Sequence, residues 1–354
     1  MKKCINYLYL AAAAMALALS LVACGGGGNK NNNGGLGGNV YVAGMEYIGG
    51  SYRAVVWNNG SRQQLQLSDN LSAQPYSVFV SGNDVYVAGT EETIDGHVVR
   101  AVLWKNGSRQ QLQLSGYSSA YSVFVSGGDV YVAGWDFFSR GNGSAHSCAV
   151  VWKNGERQWL SDNLSSAESV FVTGGDVYVA GSEHVGGSYD SDSERPVVWK
   201  NGVRRQLSDN ESGALSVSVS GGDVYVAGYE AGYENDRAVV WKNGVRQQMQ
   251  LSDNVSMSQA RSVSASSNDV YVAGWEWFGE SARAVLWKNG VRQQISNDWS
   301  AAMSVFVLGG DVYVAGAEAI GGSGESNIRA VVWKNGVRQQ LSDSSSSASS
   351  VFVK

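Results

Sequence analysis

Residues 304–341 read SVFVLGGDVYVAGAEAIGGSGESNIRAVVWKNGVRQQL, and close variants of this text occur seven times along the 354-residue chain. The tryptophan of the Trp-Lys-Asn-Gly phrase marks the units: Trp57, Trp104, Trp152, Trp199, Trp241, Trp287 and Trp333. Successive differences are 47, 48, 47, 42, 46 and 46 residues. A period of roughly 40–50 residues belongs to propeller blades, whereas helical solenoid repeats are mostly shorter. Each unit is rich in Val, Tyr, Phe and Trp, carries two Gly-containing turns and shows no 3.6-residue apolar stripe, so its elements are strands.

Four strands per unit follow. Ser-Val-Phe-Val is the first and Asp-Val-Tyr-Val-Ala the second, joined by a Gly-rich turn. Arg-Ala-Val-Val-Trp is the third, and Asn-Gly leads into the fourth, Val-Arg-Gln-Gln-Leu. Asn-Gly tolerates the positive φ of a tight hairpin. The fourth strand is polar, which suits an outer edge that must not pair with other chains. Blades 1, 2 and 5 lengthen it by two residues, as in Gln64-Leu65-Gln66-Leu67, and an even insertion keeps the in/out alternation.

The ends decide between an open array and a ring. The first unit begins at Asn39-Val40-Tyr41 without a Ser-Val-Phe-Val strand, and the chain stops at Ser350-Val351-Phe352-Val353-Lys354, which supplies it. An open solenoid needs polar capping repeats, and none is present. The expected fold is an all-β, seven-bladed β-propeller with four-stranded blades, its ring closed when the C-terminal strand completes the first blade. The seven repeat tryptophans are then inter-blade packing.

Residues 1–23 have a different character. Lys2 and Lys3 precede an apolar stretch from Tyr7 to Val22 that ends in small residues, as a secretory signal does. Leu21-Val22-Ala23-Cys24 resembles the lipobox of bacterial lipoproteins. That resemblance implies cleavage before Cys24, acylation of its thiol and amine, and a palmitate-bearing anchor in the cell envelope. Gly25 stands where aspartate is associated with inner-membrane retention in enteric bacteria, so the implied address is the outer membrane or cell surface. Residues 24–38 read as the lipidated cysteine plus a Gly/Asn-rich tether with no means of packing, spanning about 20 Å. The propeller is assigned to 39–354.

The net charge of −5, or −7 without Lys2 and Lys3, argues against a nucleic-acid partner. Cys4 leaves with the signal, Cys24 is lipidated and Cys148 is alone, so the mature chain forms no internal disulfide. Cys148 has no His–acid set beside it that marks a nucleophile. A monomer is expected.

Function is expected in the loops between second and third strands, which carry the length variation. An acid begins each loop (Glu46, Glu91, Asp136, Glu183, Glu230, Glu276, Glu318), and an arginine ends six (Arg53, Arg100, Arg195, Arg237, Arg283, Arg329). One reading is a carboxylate ring for a cation or for glycoside chemistry. The other is an acid–arginine pair closing each hairpin, which its repetition in every blade favours. Aromatic residues break the symmetry: Trp135, Phe137 and Phe138 in blade 3, Tyr229 and Tyr233 in blade 5, Trp275, Trp277 and Phe278 in blade 6. They suit stacking against sugars or anchoring a protein, and burial at the loop base is the rival reading.

His97, His146 and His184 lie in these loops without metal-ligand spacing, and no phosphate-cradling or cofactor motif is present. No catalytic residue, metal or cofactor is therefore assigned. The blades resemble seven-bladed propeller repeat proteins built from tandem Trp-Lys-Asn-Gly units, which implies architecture and address alone. The expected role is a membrane-anchored envelope module binding a glycan or protein partner through one propeller face. The alternative is a polysaccharide hydrolase or lyase with acids such as Asp136 and Glu276 in the mouth.

Overall fold

The computed structural model describes residues 36, 38–67, 71–93, 99–139, 145–185, 194–232, 235–251, 255–266, 268–279, 281–320 and 327–354. Cys24, His97 and Tyr233 lie outside the described residues. Seven four-stranded antiparallel sheets are present, six of them in sequence order from first to fourth strand. In the seventh, Ser346–Val353 pairs with Val40–Ile48, which pairs with Ser51–Asn58 and then Ser61–Gln64. The last strand of the chain thus becomes the first strand of blade 1, and the ring is closed.

Local chemistry explains the hairpins. In all seven Asn-Gly turns both residues have positive φ, as at Asn59 (49°) and Gly60 (82°). That is the twist-matched two-residue turn. The Asn side chain bonds the start of its own second strand, as Asn154 Oδ1 accepting from the Val130 amide at 2.8 Å. Six blades add an exposed Lys–Asp pair at the same corner, for example Lys153 to Asp129 at 2.8 Å.

Strands reach further toward the loop face than the repeat text suggests. Asp129–Ser139 and Val270–Phe278 are continuous second strands, so Trp135, Phe137, Trp275 and Trp277 are strand residues rather than loop residues. The first strands also extend upstream of Ser-Val-Phe-Val, and each carries a bulge just before that phrase, with a second one near Ser256 in blade 6. The second-strand glycine beside the bulge has almost no room. A Cβ at Gly181 would stand 2.0 Å from the Ser166 carbonyl oxygen, and one at Gly44 would stand 2.8 Å from the Trp57 ring.

Blades are joined in three ways. The repeat tryptophans are 0–1% exposed, and each packs against the preceding blade; Trp57, for instance, clusters with Tyr313 and Val332 of blade 7. A circumferential ring of hydrogen bonds runs round the first strands. Each Ser-Val serine hydroxyl accepts from the valine amide of the next blade, including Val351 to Ser304 and Val78 to Ser350 across the closure. The third joint uses the two-residue insertion. The Gln66, Gln113 and Gln250 carbonyls accept the indole N–H of Trp104, Trp152 and Trp287 at 2.6–2.8 Å. Their amides donate to the hairpin glycines Gly107, Gly155 and Gly290.

Blades 7 and 3 lack the insertion, and the indole nitrogens of the tryptophans that follow, Trp57 and Trp199, have no acceptor among the described residues. Trp104→Phe and Trp57→Phe lose the same ring volume, and the first also loses a buried hydrogen bond. Trp104→Phe is therefore expected to cost about 1–2 kcal/mol more in urea unfolding; equal losses would contradict the joint.

Contacts with the ring extend upstream of Asn39. Leu36 is 5% exposed in the interface of blades 1 and 7, and the Tyr313 hydroxyl donates to its carbonyl at 3.3 Å. Leucine is apolar, and burying its side chain holds this position against the ring.

Candidate binding site at the axial mouth

The acid at the head of each loop does not pair with the loop-closing arginine, although the two are opposite in register, as Glu46 and Arg53 are. It bridges instead to the fourth-strand arginine of its own blade. Arg62 meets Glu46 at 2.5 Å, Arg109 meets Glu91 at 2.8 Å and Arg292 meets Glu276 at 2.7 Å. Arg157–Asp136, Arg204–Glu183 and Arg338–Glu318 repeat the pattern, with Arg246–Glu230 at 2.6 Å. A serine from the preceding link caps several of these acids, as Ser161 donates to Glu183 at 2.6 Å. Asp136 and Glu276 are 0% and 1% exposed and each is bridged within its own blade, so they are structural ions. The symmetric acids therefore belong to packing.

Asymmetry sits elsewhere. The bulge in each first strand turns one residue out of the ladder, and on the innermost strand the free direction is the axis. From blade 1 to blade 7 these residues are Ser349, Tyr76, Tyr121, Glu168, Leu215, Arg261 and Met303. Tyr76 and Tyr121, in different blades, meet edge-to-face at 5.1 Å. One level below, Phe352, Phe79, Phe124 and Phe171 form an arc with centroids 4.7–4.9 Å apart, and Phe306 extends it at 4.7 Å. Blades 5 and 6 place Ser218 and Ser264 at that register. The mouth thus has an aromatic floor that is interrupted on one side.

One level above, toward the loops, the second strands contribute Trp135, Tyr229 and Trp275 at equivalent register, opposite Ser119, Gly213 and Gln259. Trp135 donates its indole N–H to the Tyr121 hydroxyl at 2.9 Å, which places it over the axial ring. The Tyr229 ring lies across Gly213, where a Cβ would stand 2.5 Å from Cε1. The other aromatic candidates are held apart from this group. Phe137 packs on Tyr117 and Phe138 on Trp159; Trp277 donates to the Gly279 carbonyl, and Phe278 lies under the Arg283 guanidinium.

Carboxylates complete the mouth in blades 4 and 5. Glu168 accepts from Ser166 at 2.6 Å, and Asp236 accepts from the Gln259 amide at 3.0 Å. Glu194 begins the third strand of blade 4, opposite His184. All three are half-buried. Burial pushes the Glu194 carboxyl up to about 7, assisted by the negative charges of Glu168, Glu211 and Asp236 and opposed by Ser182. Burial likewise raises Glu168 and Asp236. Tyr229 is raised well above an ordinary phenol by burial and then by Glu194, Asp236 and Glu168. Arg261 is lowered by burial, against the pull of Glu168.

Glu168, Arg261, Glu194 and Asp236 form a convergent, unlike acid–base set that the sequence reading did not recover. The available signal was the column just before Ser-Val-Phe-Val, the least repetitive position of an otherwise uniform strand. Cys148, where other blades have the loop-closing arginine, is fully buried.

No family model matches the sequence, and no curated protein matches it. Solved structures match in fold. Pyrococcus horikoshii acylaminoacyl peptidase aligns at a TM-score of 0.51 and 14% identity, over 86% of this chain and 50% of that one. The β-propeller domain of the Trilobed protease from Pyrococcus furiosus aligns at 0.51 and 12%, over 87% and 93% of the two chains. A Trypanosoma rangeli sialidase aligns at 0.46 and 11%, over 82% and 56%. This chain spans half the length of the peptidase. At these identities the likeness is one of propeller architecture. The Trilobed protease domain is described as having an open velcro topology, whereas the present ring is closed by strand pairing.

Proposed function

We propose that this chain is a glycan-binding module tethered to a bacterial cell envelope, with its site at the axial mouth on the loop face. The supporting observation is the break in sevenfold symmetry. Trp135, Tyr229 and Trp275 gather at one level beside Glu168, Glu194, Asp236 and Arg261, none of which the blade repeat requires. Flat aromatic faces stack on sugar rings, and carboxylates and a guanidinium supply directional partners for hydroxyls. The membrane tether rests on the lipobox and the run that follows Cys24.

Residues 36–354 applied to a glycan array are expected to bind saturably. A Trp135→Ala, Tyr229→Ala, Trp275→Ala variant should lose at least ~10²-fold in affinity with little change in its thermal transition. Tyr229→Phe keeps the ring and guards against an unfolding artefact. Absence of binding by the unaltered protein would refute the reading.

A second reading has one specific observation behind it. A carboxyl raised to about 7 by burial and neighbouring negative charge, as Glu194 is, suits a general acid in glycoside hydrolysis. Release of reducing ends from a bound polysaccharide, abolished by Glu194→Gln, would favour it.

A further inference from the structure

Resting on the anchoring at Cys24 in the reading above, we propose that the Asn-Gly turn face lies against the lipid surface through the exposed valines of blades 4–7, so that the axial mouth opens away from the membrane. Four of the fourth strands begin with an apolar side chain directly after their hairpin: Val203, Val245, Val291 and Val337, each 57–73% exposed. Blades 1–3 carry Ser61, Ser108 and Glu156 at the same register. The general preference of strands for valine applies to all seven blades, so the hairpin itself does not require this division. Leu308, before the Gly-Gly turn of blade 7, is exposed on the same face, where blades 2–5 have Ser81, Ser126, Thr173 and Ser220.

The point at which the chain leaves the ring selects this face. The Asn39 amide donates to the Lys354 carbonyl at 3.3 Å, and the Asn39 side chain accepts from Asn59, of the blade 1 Asn-Gly turn, at 3.5 Å. Leu36, just upstream, lies beside Tyr313, which follows the Gly-Gly turn of blade 7. The chain therefore runs back toward Cys24 from the turn face, next to the arc of valines. Residues 25–35, a Gly/Asn-rich run, separate Cys24 from Leu36, and a run of that composition and length spans about 20 Å. The ring is taller than that. A second strand such as Asp311–Ala319, with 9 residues, rises roughly 30 Å from turn face to loop face. The loop face has exposed apolar side chains of its own, Tyr47, Tyr117, Val185 and Phe278, but an acyl group on Cys24 draws the near face to the bilayer.

Electrostatics does not oppose the contact. Lys105, Lys153, Lys200, Lys242, Lys288 and Lys334 at this face are each paired with an aspartate at 2.7–2.9 Å, so these charges reach the headgroups as neutral pairs. Interfacial affinity grows with the apolar area buried. A contact that is weak alone acts once an anchor holds it at high effective concentration.

The test couples residues 24–354, which contain every blade, through the Cys24 thiol to maleimide-headed lipid in vesicles of phosphatidylethanolamine with phosphatidylglycerol as the minor lipid. Cys148 is fully buried and does not compete. Coupling anchors the chain whether or not it is acylated in the cell. Amide hydrogen exchange should slow by at least ~3-fold at residues 203–205, 245–247, 291–294 and 337–340, change less at 61–64, 108–110 and 156–159, and stay as it was at 135–139 and 275–278. The combined variant Val203→Ser, Val245→Ser, Val291→Ser, Val337→Ser places there the residue that blades 1 and 2 carry, and should lose the slowing with an unchanged thermal transition. Slowing on the loop-face strands, slowing that persists in the variant, or none at all overturns the proposal. Equal slowing in the concentrated, uncoupled chain also overturns it and makes a second copy the occupant. Incorporation of alkyne-palmitate by the full chain in a bacterium tests the anchor separately. Absence of label beside slowed exchange keeps the lipid-facing surface and removes the natural anchor; label without slowed exchange does the reverse.

Discussion

Removal of Ser346–Lys354 will abolish cooperative unfolding of the ring. The excised strand buries Ala348, Val351 and Val353 to 1–3% exposure and covers Val40 and Val42 of the strand it pairs with. Each buried valine is worth roughly 1.5–3 kcal/mol, so losing this set consumes most of the ~5–15 kcal/mol reserve of a typical domain. Two links of the serine–valine ring disappear with it, Val351 to Ser304 and Val78 to Ser350. The truncated chain also exposes a new strand edge. Thermal circular dichroism should show a broad, low-amplitude transition, and a synthetic peptide of residues 344–354 should restore the sharp one. A truncated chain that melts like the full one would contradict closure.

Arg292→Met will destabilise the protein by roughly 3–5 kcal/mol, because it removes the cationic partner of the buried Glu276 carboxylate. Glu276 is 1% exposed, and Arg292 Nε stands 2.7 Å from its carboxylate. The Arg292 side chain is 18% exposed, which makes this one of the better-shielded bridges of the seven blades. Chemical denaturation of Arg292→Met beside the double variant Arg292→Met, Glu276→Leu separates the effects. The double variant should recover most of the loss, since replacing both partners removes the stranded charge. If Arg292→Met is neutral, Glu276 is hydrated and returns to the list of mouth acids.

The two predictions also mark what the sequence could and could not reveal. Closure was legible because the missing strand of blade 1 and the spare strand at the C-terminus carry the same text, and strand pairing has a strict register. The tryptophan anchors were legible from periodicity. The acid's partner was not. Glu46 and Arg53 are neighbours in the loop text, whereas Arg62 reaches Glu46 from two strands away along the same blade face.

The mouth was only half legible. Trp135, Trp275 and Trp277 stood out against small or aliphatic blade equivalents, and the residues alone could not tell that Tyr229 shares the level of Trp135 and Trp275 while Trp277 does not. Glu168 and Arg261 were marked only by the variability of their column, because a bulge, not a motif, turns them out of the ladder. They lie in strands far apart in sequence and converge only when the ring closes. The Gln66, Gln113 and Gln250 joints were hidden for a related reason. An even insertion preserves alternation, so nothing in its own blade hints that its carbonyl serves the next one.

The most direct test of the central claim is a crystal structure of residues 36–354 with the tightest-binding oligosaccharide from the glycan array. The account predicts the sugar stacked on the rings of Trp135, Tyr229 or Trp275 at the axial mouth, with its hydroxyls toward Glu168, Glu194, Asp236 and Arg261. A sugar bound at the outer strand edges or on the Gly-Gly turn face, with the mouth occupied by water alone, would contradict it.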